Sequence, residues 1–261
     1  MQTLAYTTSI MSWGLLLSAI RRVRESENSI VPIDLNMEAP PCAILCCIAL
    51  EAFVNEISCL TSAFLFNEEN NHRARYSTKT QREANIGMAW DNCQNIGQIK
   101  DNPRGSFYDR YKALLKVAGI EKPNCMQSLS YLRDLRDALV HFRVCEVPIV
   151  EDSDGVIRSA QEPPKVFAHL KSYSVNGWPV VATDPVEVGT AWVLRASTNA
   201  MAVWSLSLVL EAITYVLDIL PAGEYRDFIL RRYAARDVLF STVFEKGKAD
   251  IEEWKNDLFL V

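Results

Sequence analysis

The chain has 261 residues, a hydrophobic fraction of 49% and a formal net charge of −5 from 27 basic and 32 acidic side chains. That length can bury one large core or two modest ones, and no long segment has the composition of a disordered tail. The acidic balance argues against a long, uniformly basic nucleic-acid-binding face. It leaves room for a local phosphate site, because net charge governs steering and not local chemistry.

Residues 3 to 27 read as a first helix, with Trp13, Leu16, Leu17, Ile20 and Val23 in the three-four rhythm of a buried stripe. A signal peptide fits poorly, because Arg21, Arg22 and Arg24 follow the apolar run instead of preceding it. Pro40 and Pro41 suit the start of a second helix over about 40 to 67, nearly apolar on several sides. The stretches 41-PCAILCCIAL-50 and 196-ASTNAMAVWSLSLVL-210 are shorter than the roughly 20 apolar residues of a membrane span. Core helices are expected there, and no membrane contact.

Seven cysteines are present: Cys42, Cys46, Cys47, Cys59, Cys93, Cys125 and Cys145. The number is odd and no CxxC pair occurs, so zinc-ribbon and thioredoxin-like chemistry drop out. Buried free thiols in a reducing, cytoplasmic compartment are the expectation.

The segment 70-NNHRARYSTKTQRE-83 is polar and basic, with His72, Arg73, Arg75, Lys79 and Arg82. It reads either as a connector or as a nucleic-acid contact surface; Tyr76 is its one interleaved aromatic. A helical piece over 82 to 98 ends before 101-DNPRG-105. Ser106 then opens a helix, with Asp109 placed for a capping box, Phe107, Tyr111, Leu114 and Leu115 on the buried side and Gly119 at its end.

Pro123 and Asn124 lead into the helix that carries 131-YLRDLRDALVHFR-143. Leu132, Leu135, Leu139 and Phe142 form its apolar stripe. After Cys145 the texture changes. Two short apolar runs flank 152-DSDG-155 as a β-hairpin would, 166-VFAHL-170 suits a helical piece, and 177-GWPVVATDP-185 has extended character. Asp184, Pro185 and Glu187 make a strong helix start, and this helix reaches Leu220 before Pro221 closes it. Amphipathic segments follow near 223 to 240 and 248 to 259. The expected fold is all-α: one helical domain over 1–261, an insertion with short strands or irregular structure over 146–183, and C-terminal helices over 222–261.

Most familiar chemistry has no motif here. The histidines His72, His141 and His169 lack metal-ligand spacing, and no phosphate-binding glycine loop, dinucleotide fingerprint or nucleophile elbow is present. Neither a metal nor a cofactor is expected. The remaining candidate is Arg136, Asp137 and His141. Asp137 and His141 stand one helical turn apart, so the carboxylate can accept a proton from one imidazole nitrogen and fix the tautomer. Arg136 lies about 140° around the helix from His141, at roughly 100° per residue, with a fork suited to phosphate oxygens.

This set suits metal-independent cleavage of single-stranded RNA. The histidine takes a proton from the ribose 2′-hydroxyl or gives one to the leaving oxygen, and the arginine stabilises charge on the phosphate. One histidine cannot readily serve both sides of an in-line reaction, whereas a second copy across a two-fold axis, packed through the helix of residues 131–143, supplies the other. Arg143 and the basic residues of 72 to 82 are candidates for reinforcing RNA binding. The plain structural alternative is a charged, solvated helix face, with Arg133 and Asp137 as an i,i+4 pair.

The string 136-RDALVH-141 resembles the signature of the HEPN (higher-eukaryote and prokaryote nucleotide-binding) superfamily: arginine, a polar residue, three variable residues, histidine. The extension 142-FR-143 resembles versions reading VHFR, and 48-IALEAFVNEIS-58 is similar to an upstream helix of bacterial members, with Glu51 and Asn55 one turn apart. The resemblance covers about residues 40–220. It implies a helical bundle that dimerises through the motif helices, with Arg136 and His141 catalytic, Asp137 their polar companion, and Glu51, with Asn55 beside it, in support. Active members are metal-independent ribonucleases of toxin–antitoxin, phage-defence or RNA-processing systems. Others are inactive modules that bind nucleotides or protein partners. A catalytically inactive dimeric binding or scaffolding module is therefore the competing expectation.

Overall fold

The computed structural model describes residues 12–27, 36–71, 78–101, 105–141, 149–151, 157–159, 163–182, 192–235, 249 and 252–253. Expectations for the start of the first helix, the 72–77 segment, Phe142, Arg143, Cys145, the 152–155 turn, the helix start at Asp184 and most of the C-terminal segment lie outside these residues.

The fold is all-α with small antiparallel β-hairpins. The chain divides into two compact units. The first comprises Met1–Gly14, Ile48–Met126 and Glu211–Gly247, and the second Leu15–Cys47, Gln127–Leu210 and Lys248–Val261. Helices α1 (Ser12–Glu27), α2 (Ala39–Asn71) and α9 (Asn199–Ile219) each contribute residues to both units.

In the first unit, α2 buries Phe53, Val54, Ile57, Leu60 and Phe64. Its Glu56 carboxylate is buried and accepts both the backbone N–H of Ser12 at 2.8 Å and the Ser12 hydroxyl at 2.6 Å. Helices α3 (Lys79–Ile86) and α4 (Trp90–Gln98) replace the single helical piece expected over 82 to 98. Gly87 ends α3 in the left-handed conformation, and the Trp90 N–H turns to the Glu83 carboxylate at 3.0 Å. Helix α5 (Phe107–Ala118) follows its sequence signature: Ser106 caps Asp109 N–H at 3.3 Å, donates to the Asp109 carboxylate at 2.7 Å, and Gly119 closes the helix. Helix α10 (Glu224–Ala235) packs Tyr225 into this unit, where its hydroxyl bonds to Thr61 at 2.8 Å and its ring meets Phe64 edge-on. At the foot of α10 a side chain on Gly87 would strike the Ala222 carbonyl, and one on Gly223 would strike the Ile86 carbonyl.

In the second unit, α6 (Met126–Val140) buries Leu129, Leu132 and Leu135 completely, while Leu139 is half-buried. Each fully buried leucine contributes about 1.5–3 kcal/mol by burial. The Cys47 thiol, on α2, lies 3.9 Å from the Leu132 carbonyl and donates to it. Strands β1 (Ile149–Glu151) and β2 (Ile157–Ser159) pair antiparallel, with Val150 opposite Arg158. Helix α7 (Phe167–Leu170) follows, then a second hairpin of β3 (Ser174–Val175) and β4 (Trp178–Pro179) around Asn176 and Gly177, both at positive φ.

The long helix expected up to Leu220 is broken. Helix α8 (Trp192–Arg195) ends where the Arg195 carbonyl accepts the Ala182 N–H at 2.8 Å and the Arg195 guanidinium returns a bond to the Ala182 carbonyl at 2.9 Å. Thr198 then starts α9 anew. Its hydroxyl caps the Met201 N–H at 3.0 Å and donates to the Val180 carbonyl at 2.8 Å.

Two helices, Ala39–Glu69 and Asn199–Ile219, are long and apolar enough to cross a membrane by length and composition alone. The expectation that these stretches are too short to span is thus corrected. Each extends well past the apolar run read from sequence, and 61% and 72% of their most apolar windows are buried inside the protein.

Candidate functional site on helix α6

The buried side of α6 is set by Leu129, Leu132 and Leu135. At roughly 100° per residue, His141 projects about 180° from Leu132 and Arg136 only about 40° from it. The motif therefore splits: its histidine faces solvent and its arginine emerges beside the packed seam. His141 is exposed and stands just past the last helical residue, with its N–H still bonded to the Asp137 carbonyl at 3.0 Å.

Arg136 extends outward to its neighbour. One guanidinium nitrogen lies 2.8 Å from a carboxylate oxygen of Asp137, with the two side chains 35% and 47% exposed. Among the described residues, no hydrogen bond joins the Asp137 carboxylate to the His141 imidazole. Arg133 turns to Asp134, at 2.7 Å, and to Ser130. Beneath the pair sits Cys47. Burial pushes its thiol well above the ordinary range; the Arg136 guanidinium opposes that shift and the Asp137 carboxylate adds to it.

Glu51 and Asn55 have a different partner. Both lie in the first unit, whereas Arg136, Asp137 and His141 lie in the second. From α2 they hold Arg110 of α5: its guanidinium meets the Glu51 carboxylate at 3.2 Å and the Asn55 amide oxygen at 3.1 Å. The Arg110 side chain is only 13% exposed, and its Nε has no hydrogen-bond partner among the described residues. Sequence reading did not single out Arg110; its place on the inner edge of a well-capped helix was the available signal. The basic segment is described only at its end. There Lys79 pairs with Glu83 and Asp91, each at 3.8 Å, and Arg82 lies 3.3 Å from the centre of the Trp90 ring.

Among the described residues, no group of three or more His, Cys, Asp or Glu side chains could hold a metal ion. A cavity of 420 Å³ lies in the first unit, lined by Cys59, Ser62, Phe66, Gln94, Gln98 and Lys100 among others, and none of the motif residues borders it. In comparisons with known proteins, no family model, no curated protein and no solved structure matches the chain.

What the α6 site offers chemically is narrow. It holds an accessible imidazole, a cation five residues back and about 140° around the helix, and a carboxylate that partly neutralises that cation.

Proposed function

We propose that the protein is a HEPN-like, metal-independent endoribonuclease that cleaves single-stranded RNA. The observation that carries this reading is the solvent-exposed His141 at the end of α6, with the part-exposed Arg136 five residues before it on the same helix. In the reaction the ribose 2′-oxygen attacks the adjacent phosphorus and the bond to the 5′-oxygen breaks, leaving a 2′,3′-cyclic phosphate. One imidazole takes the 2′-hydroxyl proton and a second gives a proton to the leaving 5′-oxygen. Arg136 stabilises charge on the phosphate oxygens.

Each copy supplies one such histidine, so the reading requires two copies to face each other through α6, with both His141 side chains in one cleft. A cytoplasmic location fits the buried free thiols Cys42, Cys46, Cys47, Cys93 and Cys125.

A second reading, an inactive dimeric binding or scaffolding module, is favoured by one observation. The Asp137 carboxylate engages Arg136 instead of orienting His141. Incubation of a mixed single-stranded RNA pool with purified protein in EDTA, wild type beside His141→Ala, tests the choice. Cleavage by wild type alone supports the ribonuclease. No cleavage by a folded dimer favours the module.

A further inference from the structure

An aromatic ledge lies at the other end of α6. The rings of Tyr131 and His169 are stacked, 4.6 Å apart and 8° from parallel, and Tyr173 meets Tyr131 edge-on at 6.1 Å. The ledge is braced from below: the Gln127 amide donates to the Tyr131 hydroxyl at 2.6 Å, and Ser128 donates to the Tyr173 hydroxyl at 3.3 Å. His169 is exposed, with one face of its imidazole on Tyr131. Lys165 and Lys171, at the two ends of the same short α7 segment, are exposed as well. In a chain of net charge −5, these two exposed cations flank the exposed ring in sequence.

We infer that the Tyr131–His169 pair is a stacking platform for a base of single-stranded RNA, with Lys165 and Lys171 facing its phosphates; the inference rests on the ribonuclease reading of the same helix. Ten residues separate Tyr131 from His141, a rise of about 15 Å and a turn of about 80° away from register. The platform and the histidine thus lie along one side of α6, a few nucleotides apart. A base stacks on any open aromatic face and needs no sequence-specific contact, so the platform binds without selecting sequence. Asp134, the carboxylate on the same side, is already paired with Arg133.

The test uses the full chain carrying His141→Ala, so that RNA is bound and not cut. A short single-stranded oligoribonucleotide containing 2-aminopurine is titrated in, and affinity is read together with the fluorescence quenching that accompanies stacking. His169→Ala and Tyr131→Ala should each weaken binding by about tenfold or more and lose the quenching. His169→Phe should restore both. Unchanged affinity and quenching in His169→Ala, or no binding by the parent, overturns the platform.

Cleavage by the chain with His141 intact, measured in parallel, separates this inference from the reading beneath it. Cleavage with an indifferent His169→Ala removes the platform alone. Quenching that depends on His169 without any cleavage keeps the platform and removes the ribonuclease. A two-copy assembly that His169→Ala dissolves would make the ledge a face between copies, and also overturns the inference.

Discussion

The Arg136 guanidinium and the Asp137 carboxylate, neighbours in sequence, are ion-paired at 2.8 Å across the surface of α6. Arg136 starts near the leucine seam and must reach outward, and the carboxylate meets it there. The pair partly neutralises the charge that Arg136 presents at the surface.

Removing the carboxylate therefore separates two effects. The pair is about half-exposed, so Asp137→Asn should change stability by less than about 1 kcal/mol. It should strengthen RNA binding, measured by titration on the His141→Ala background. Arg136→Ala should lower the cleavage rate by about 100- to 1000-fold, the scale for removing one transition-state donor. An Arg136→Ala variant with an unchanged single-turnover rate would take the arginine out of the proposed mechanism.

Packing under the site is tested separately. Leu132→Ala and Leu135→Ala should each destabilise by about 2–5 kcal/mol in denaturant unfolding, because both side chains are fully buried. Leu139→Ala should cost less, since Leu139 is half-buried. Equal losses at all three positions would mean that the half-buried position is covered in solution.

Gly87 is constrained twice: its φ is +82° and an added Cβ would strike the Ala222 backbone carbonyl. Gly87→Ala should destabilise by more than about 1 kcal/mol, the scale of an alanine held at positive φ. Gly119, also at positive φ but with open space around it, should show the backbone part of the penalty alone. A comparison of the two melting curves checks this.

The buried thiols set an alkaline limit. Burial pushes Cys93 and Cys125 up to about 12, well above the ordinary thiol range. With the folded-state values raised, the native state holds its protons longer than the unfolded chain. Their contribution is fully present below the unfolded value of about 8.5 and is lost as pH rises towards 12. The denaturation midpoint should be flat from pH 7 to about 8.5 as far as these groups are concerned, then fall. Cys93→Ala with Cys125→Ala should flatten the fall, and an unaltered slope would place its origin elsewhere.

Local signals in the sequence carried far. The Ser106–Asp109 box, the Gly119 stop and the buried leucines Leu132 and Leu135 of α6 are set by patterns of a few residues, and the structure follows them. Two boundaries differ from the expectation although their signals lie in the sequence. Gly87 splits the expected 82–98 helix, and Thr198 is a helix cap inside an apolar run that masks it. The Asn176–Gly177 turn between Val175 and Trp178 likewise marks a hairpin by composition. At the site, spacing gives the turn that joins Asp137 to His141, but not which neighbour the carboxylate chooses. Arg110 and the Tyr131–His169 stack depend on residues distant in sequence, and no local pattern reports such pairings.

The most direct measurement is the chemistry of the ends produced when a defined single-stranded oligoribonucleotide is incubated with the protein in EDTA and the products are weighed by mass spectrometry. Attack by the 2′-hydroxyl, assisted by His141 and Arg136, predicts 2′,3′-cyclic phosphate and 5′-hydroxyl ends that disappear in His141→Ala. Products with 5′-phosphate and 3′-hydroxyl ends, or identical products from His141→Ala, would contradict it.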